Sequence, residues 1–240
     1  MTQRLALLGP RPAQSLHRAL YEHWEMTEAS GNRAGKKGRT LTDNGPVGSA
    51  AGLSNIGLAA SFTGVTTEYL SGGDIAKFYS GDWTLNAWAK ATTFAAARTV
   101  AGAWQQTGNK RQYLLDETVT PRARIRMTAD GSTNTVDMSD SVHGALAVAT
   151  WYMLTAMYDA SSDYMLLVVN GQRRSVNIDK VIGGVMFTAD ADFRVGLQAN
   201  ASGPMLGLIG PVSIWQRKLT QRELLHLFNE NRGRAYPWRG

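Results

Sequence analysis

The sequence predicts an all-β sandwich or barrel carrying one short C-terminal helix. Three observations carry this: short strand-like runs recur at regular spacing, turn signals separate them, and a capping box opens the one clear helical pattern. Composition agrees. Glycine supplies 25 of 240 residues, above the usual share of roughly 7%. Charged residues are 18% and apolar residues 43%, which describes a turn-rich globular chain rather than a disordered one. All-β folds of this length commonly form one domain. The absence of cysteine excludes disulfides, thiol catalysis, thiolate zinc sites and iron–sulfur clusters.

Residues 1–18 contain two prolines and no sustained period, and are read as an N-terminal arm. A domain over 19–229 and a tail over 230–240 complete the division. In residues 83–90, polar Thr84, Asn86 and Lys90 alternate with apolar Trp83, Leu85, Ala87 and Ala89, while Trp88 breaks the pattern. That suits a strand packed on both faces. Residues 122–127 alternate strictly, with Arg122, Arg124 and Arg126 to one side and Ala123, Ile125 and Met127 to the other. Asp130-Gly131 follows as a hairpin signal. Residues 151–158 turn through 159–163 into 164–169, and Asn170-Gly171 then supplies a pair suited to a type I′ turn before 172–178. Strands over 191–197 and 205–215 complete the set. Thr220-Gln221-Arg222-Glu223 is a capping box flanked by Leu219 and Leu224 at staple positions. Leu224, Leu225, Leu227 and Phe228 supply the apolar helical face.

The formal charge of +6 is unevenly placed. Residues 1–40 carry net +4 and residues 217–240 carry net +4, while 41–216 carry net −2. This pattern fits basic ends docking on an acidic neighbour better than a basic face built into the domain. The only N-terminal apolar run, Leu5 to Leu8, stops at Gly9-Pro10 and is too short for a signal-peptide core. No run approaches the ~20 apolar residues of a membrane helix. Cytoplasmic synthesis and assembly without secretion is the expectation.

Several motifs resemble a known family. Leu20-Tyr21-Glu22-His23-Trp24-Glu25-Met26 and Glu28 to Arg33 are similar to the opening of LamG-like jelly-roll domains of the concanavalin A-like lectin/glucanase superfamily. Further on, Thr150-Trp151-Tyr152, Tyr158-Asp159-Ala160, Val169-Asn170-Gly171 and Asp192 to Gly196 resemble its core strands. Leu206 to Trp215, then Leu219 to Asn229, resemble its closing strand and helix. The resemblance covers roughly residues 19–237 and implies a concanavalin A-like jelly-roll β-sandwich. Gly210-Pro211 and the basic stretch 34–39 depart from the family pattern by removing carboxylates that could serve a cation.

Chemistry is sparse. The acidic strand motif of the family's glucanases is absent, as are metal-ligand histidine spacings and a nucleophile elbow; no catalytic residue, no metal ligand and no cofactor is assigned. Calcium is left to the turn pairs Asp159/Asp163 and Asp137/Asp140, where aspartate's own turn chemistry is the competing account. Trp104, in a loop-like stretch with Gln105, Gln106 and Asn109, is the candidate sugar platform, weighed against a place in the core. Arg122, Arg124 and Arg126 form a candidate face for an anionic partner or glycan, weighed against a solvated outer face. His226 reads as a surface residue.

The expected function is a non-enzymatic structural protein of a virus particle, a bacteriophage head-decoration or tail component, as the resemblance implies. Its basic ends (Arg4, Arg11, Arg18, Arg232, Arg234, Arg239) would dock on acidic surfaces of other virion subunits or of further copies of the chain. The alternative is a carbohydrate-binding module, free or displayed on such a particle. Membrane and nucleic-acid partners are not expected.

Overall fold

The computed structural model describes residues 12–75, 81–172, 176–180 and 186–238. Its elements, in chain order, begin with a one-turn helix α1 (Pro12–Ser15) and strands β1 (Leu20–Trp24), β2 (Arg33–Ala34), β3 (Thr40–Asn44), β4 (Gly48–Ala51), β5 (Leu58–Thr63) and β6 (Tyr69–Gly73). The central strands are β7 (Trp83–Ala91), β8 (Arg98–Gln105), β9 (Lys110–Glu117), β10 (Ala123–Thr128) and β11 (Asn134–Ser139). There follow β12 (Tyr152–Asp159), β13 (Tyr164–Val169), β14 (Val176–Lys180), β15 (Phe193–Val195), β16 (Leu206–Trp215) and helix α2 (Gln221–Phe228).

Two antiparallel sheets form a sandwich. The first runs β14-β13-β12-β7-β16-β5-β4, with β1 pairing the second half of β16; the second runs β11-β10-β9-β8-β15-β6-β3-β2. All seven strands marked from sequence have a counterpart, and the runs at 83–90, 151–158 and 164–169 match within a residue at each end. The run expected to open at 172 is strand from Val176; Gln172 itself is not strand, and 173–175 lie outside the described residues. The Asn170-Gly171 turn has both residues at positive φ, 56° and 62°, as a type I′ turn requires. A side chain at Gly171 would meet the Leu224 carbonyl at 2.8 Å, so glycine also lets this turn sit against α2.

Period-two alternation explains the main core. One inward row of the second sheet crosses Phe193, Ala103, Tyr113, Met127 and Val136 in register. It packs between the sheets with Trp24, Phe62, Leu85 and Leu154. A second cluster lies on the outer face of the first sheet: Trp88, Met153, Met157, Val168 and Trp215 are covered by Leu16, Leu224, Leu227 and Trp238. Burial on both faces is why β7 breaks alternation at Trp88.

This second cluster ties both ends of the described chain to the domain. Residues 12–18 fold back on the domain: Trp215 Nε1 donates to the Leu16 carbonyl at 2.7 Å, and Arg217 donates to the Ser15 and Arg18 carbonyls at 2.8 and 2.9 Å. The tail joins them through Trp238, buried 5.7 Å from Trp215 between ring centroids. The physical reason is apolar content. Leu16, Tyr236 and Trp238 gain more from covering Trp215 than from solvent, at roughly 1.5–3 kcal/mol for each fully buried large side chain.

The capping box is present: Thr220 accepts from the Glu223 amide, and Glu223 accepts from the Thr220 amide at 2.8 Å. Replacing Thr220 by alanine is expected to lower stability by about 1 kcal/mol. Chemical denaturation would read this as a lower midpoint at constant slope.

Candidate functional site

The open face of the second sheet is the most organised polar surface of the described residues. Strand register builds it. Opposite the inward rows, Ser71, Arg194, Gly102, Leu114, Arg126 and Asp137 stand in one line across β6, β15, β8, β9, β10 and β11. Two residues along, Asp116 faces Arg124.

Asp116 organises this face. Its buried carboxylate accepts from Arg124 Nε and Nη2 at 2.8 and 2.7 Å and from Arg126 Nη2 at 2.7 Å. Arg124 thus makes a bidentate fork, the stiffest carboxylate geometry available. The bond to Asp116 holds the Arg124 pKa above its ordinary value. Asp137 adds a weaker contact to Arg124 at 3.9 Å. Farther along the face, the Arg194 guanidinium lies 4.0 Å from the Tyr69 ring centroid and donates to Asp192 at 2.7 Å. Asp192 in turn accepts from Ser71 Oγ at 2.7 Å. Both guanidinium sets are fixed in place while 14–19% of each side chain stays open to water. Such an array offers donors to hydroxyl or carboxylate oxygens with little ordering left to do.

The arginine stripe read from sequence is therefore real in register but not free. Arg124 and Arg126 share Asp116, and Arg122 donates to the Asp140 carbonyl at 2.8 Å. Alternation along one strand gave no view of the acid on its neighbour. Trp104 requires a larger correction. It lies on β8 rather than in a loop, is 1% exposed, and has Arg126 and Arg111 at 5.0 and 6.0 Å from its ring centroid. With guanidinium groups over it, the indole offers no open platform.

Tyr69, Arg194, Asp192 and Asp116 were missed. Alternation in Asp192-Phe193-Arg194 could have placed the outer two on one face. Nothing local signals Tyr69, because β6 meets β15 across more than a hundred residues. Among the docking candidates, Arg4, Arg11 and Arg239 lie outside the described residues. Arg18 is exposed, Arg232 faces Glu230 at 3.5 Å, and Arg234 donates to the His226 carbonyl at 2.7 Å. His226 is half buried beside the Trp238 carbonyl at 3.2 Å, not a free surface residue, and burial lowers its pKa.

The calcium candidates have other employment. Asp159 accepts from the Lys218 ammonium and from Ser161 Oγ, bonds that hold its pKa at about 2. Asp163 accepts from the Tyr158 hydroxyl at 2.8 Å. Asp140 caps the amides of Val142, His143 and Gly144, while Asp137 faces Arg124. Among the described residues no group of three or more histidine, aspartate or glutamate side chains is placed to hold a metal ion.

A two-sheet antiparallel jelly roll with a short C-terminal helix, open on a polar sheet face, has the architecture of a lectin-like domain. The sequence agrees: the profile of the concanavalin A-like lectin/glucanases superfamily matches residues 63–225. The chain belongs to that superfamily. No curated protein matches the sequence. Among solved structures, it is similar to domain 4 of AbnA, a GH43 extracellular arabinanase from Geobacillus stearothermophilus, in complex with arabinotriose. That match has a TM-score of 0.63 and 17% identity, covering 86% of this chain and 96% of the other. It is also similar to the binding domain of Paraclostridial Mosquitocidal Protein 1, at TM-score 0.70 and 12% identity over 89% of this chain and 52% of that one. The botulinum neurotoxin serotype D ligand binding domain in complex with N-acetylneuraminic acid matches at TM-score 0.66 and 11% identity, over 91% and 52%. At these identities the likeness is one of fold. The chain spans about half the length of the two toxin domains.

Proposed function

We propose that the protein is a non-catalytic carbohydrate-binding module whose ligand lies across the open face of the second sheet. The observation that carries this reading is the fixed guanidinium array of that face, Arg124 and Arg126 on Asp116 and Arg194 on Tyr69. Fixed donors suit sugar oxygens, and the Tyr69–Arg194 stack adds a flat surface beside them. Two of the similar structures are complexes with saccharide ligands, which supports the class of ligand. A non-catalytic role fits the state of the carboxylates. Glycoside hydrolysis uses an acid and a second carboxylate flanking one bond, whereas Asp116 is matched by two arginines and Asp192 by one.

A glycan array followed by calorimetry tests this. Arg126→Ala and Tyr69→Ala are each expected to weaken the best ligand by roughly tenfold, the scale of one charged hydrogen bond or one ring contact. A blank array, or affinity unmoved by both variants, would sink the reading. Release of reducing ends from a β-glucan or arabinan panel would overturn the non-catalytic part.

A second reading is a structural subunit of a virus particle, a bacteriophage head-decoration or tail component assembled in the host cytoplasm. The observation favouring it is the net +4 at each end of the chain, together with the meeting of residues 12–18 and the tail on one side of the sandwich. The two readings are compatible. Unchanged incorporation into particles after deletion of residues 1–18 would count against the arm's part in it.

A further inference from the structure

We infer that the cleft between the N-terminal segment and α2 docks an acidic segment of a partner protein. This deepens the second reading and rests on it for the kind of assembly, not for the chemistry of the contact. The cleft has a volume of about 330 Å³ and lies between Pro12, Ser15 and Arg18 on one side and Thr220 and Arg222 on the other. Its floor is the Arg217–Glu223 pair at 2.6 Å, where each charge is already answered by the other. Arg18 and Arg222 are different. Both are exposed, and neither side chain makes an ion pair with the described residues.

The acids that next follow Arg18 in sequence, Glu22 and Glu25, are spoken for. Glu25 holds Lys36 at 2.7 Å and the Tyr236 amide at 2.7 Å. Glu22 accepts from the amides of His23, Lys37 and Arg39. Two unanswered guanidinium groups thus flank one cleft on an end of the molecule with a basic surplus. Carboxylates of a partner complement that field, and arginine can bind them through a planar fork.

Apolar neighbours point to protein rather than nucleic acid. Leu225, one turn after Arg222, is 46% exposed. Arginine beside apolar side chains is the composition of protein interfaces, whereas duplex binding relies on a track of phosphate contacts. The cleft also lies on the opposite side of the sandwich from Arg126 and Tyr69, since α2 covers the outer face of the first sheet. Docking there leaves the proposed glycan face pointing away from the partner.

The probe is poly-L-glutamate, titrated into the full-length chain at low and at physiological salt. Arg18→Glu/Arg222→Glu is expected to weaken binding by roughly tenfold or more, with steep salt dependence. Lys90→Glu/Lys110→Glu removes the same charge elsewhere and is expected to change affinity by no more than about twofold. Equal losses in the two double variants, no binding by wild type, or tighter binding of duplex DNA with the same sensitivity would overturn the site. Melting temperatures within a few degrees of wild type confirm that the substitutions leave the fold intact. If the site passes but the Arg18→Glu/Arg222→Glu protein still enters particles, the docking chemistry stands and the cleft's part in assembly fails; if the wild type enters no particle, the second reading itself fails.

Discussion

Replacing Glu117 by glutamine is expected to stabilise the protein strongly at pH 9 and little at pH 5. Glu117 ends β9 facing the interior; it is fully buried, and neither carboxylate oxygen has a hydrogen-bond partner. Burial, with the Asp116 charge next to it, pushes its pKa up to about 8, and the Arg98 guanidinium opposes this only in part. Arg98 stands opposite in register but spends its donors on the Thr93 and Pro204 carbonyls at 3.1 and 3.0 Å.

The sign follows from linkage. A carboxyl whose pKa is higher folded than unfolded binds its proton more tightly in the native state. Its folded form is unpenalised below the unfolded value near 4.5 and loses stability as pH rises to about 8. At ~1.4 kcal/mol per pH unit the full loss is roughly 5 kcal/mol. His23 acts on the other limb. Burial, then the Lys36 charge, lowers its pKa to about 3, so its contribution is present above the unfolded value of 6.5 and lost as pH falls. Urea midpoints from pH 5 to 9 would show the wild type falling on the alkaline side and Glu117→Gln holding level. A gap between the two proteins that does not change with pH would refute the account.

Asp116→Ala is expected to destabilise the protein by roughly 3 kcal/mol, the scale for removing one member of a buried ion pair. The substitution removes three charge-assisted bonds at once, leaves Arg126 partly buried without its ion-pair partner and leaves Arg124 only the weaker Asp137 contact. Their exposure to water, 19% and 14% of the side chain, places the loss toward the low end of that scale. The same change frees both guanidinium groups to move, so glycan affinity should fall even well below the melting temperature. A loss under about 1 kcal/mol would mean that the arginines are solvated as well without Asp116 as with it. The array would then not be fixed in the sense proposed.

The sequence by itself determined the fold class, because its signals are local. Alternation in 83–90 and 122–127 reports a strand to any reader, since side chains two apart share a face. Asn170-Gly171 reports a tight turn because both residues tolerate positive φ. Thr220 and Glu223 report a helix start because each satisfies the other's amide. Weaker strands escaped: β1 to β6 are short and β8 and β9 are buried along most of their length, so their patterns lack a clean polar side, whereas β11 alternates over six residues. The family motifs placed the chain in the right superfamily where these local patterns left sandwich and barrel open.

Tertiary structure alone decided the sites. Asp116 and Arg124 are neighbours only through the register of β9 with β10, and Tyr69 meets Arg194 only because β6 lies beside β15. Trp104 looks like a platform in a string of polar residues, yet Arg111 of β9 and Arg126 of β10 lie over it. The basic ends, separated by some two hundred residues, share one surface because Leu16 and Trp238 both seek the apolar cover of Trp215. Composition gives the charge, and local pattern gives the strand. Which charge meets which acid depends on pairings between distant segments, set by burial across the whole sandwich.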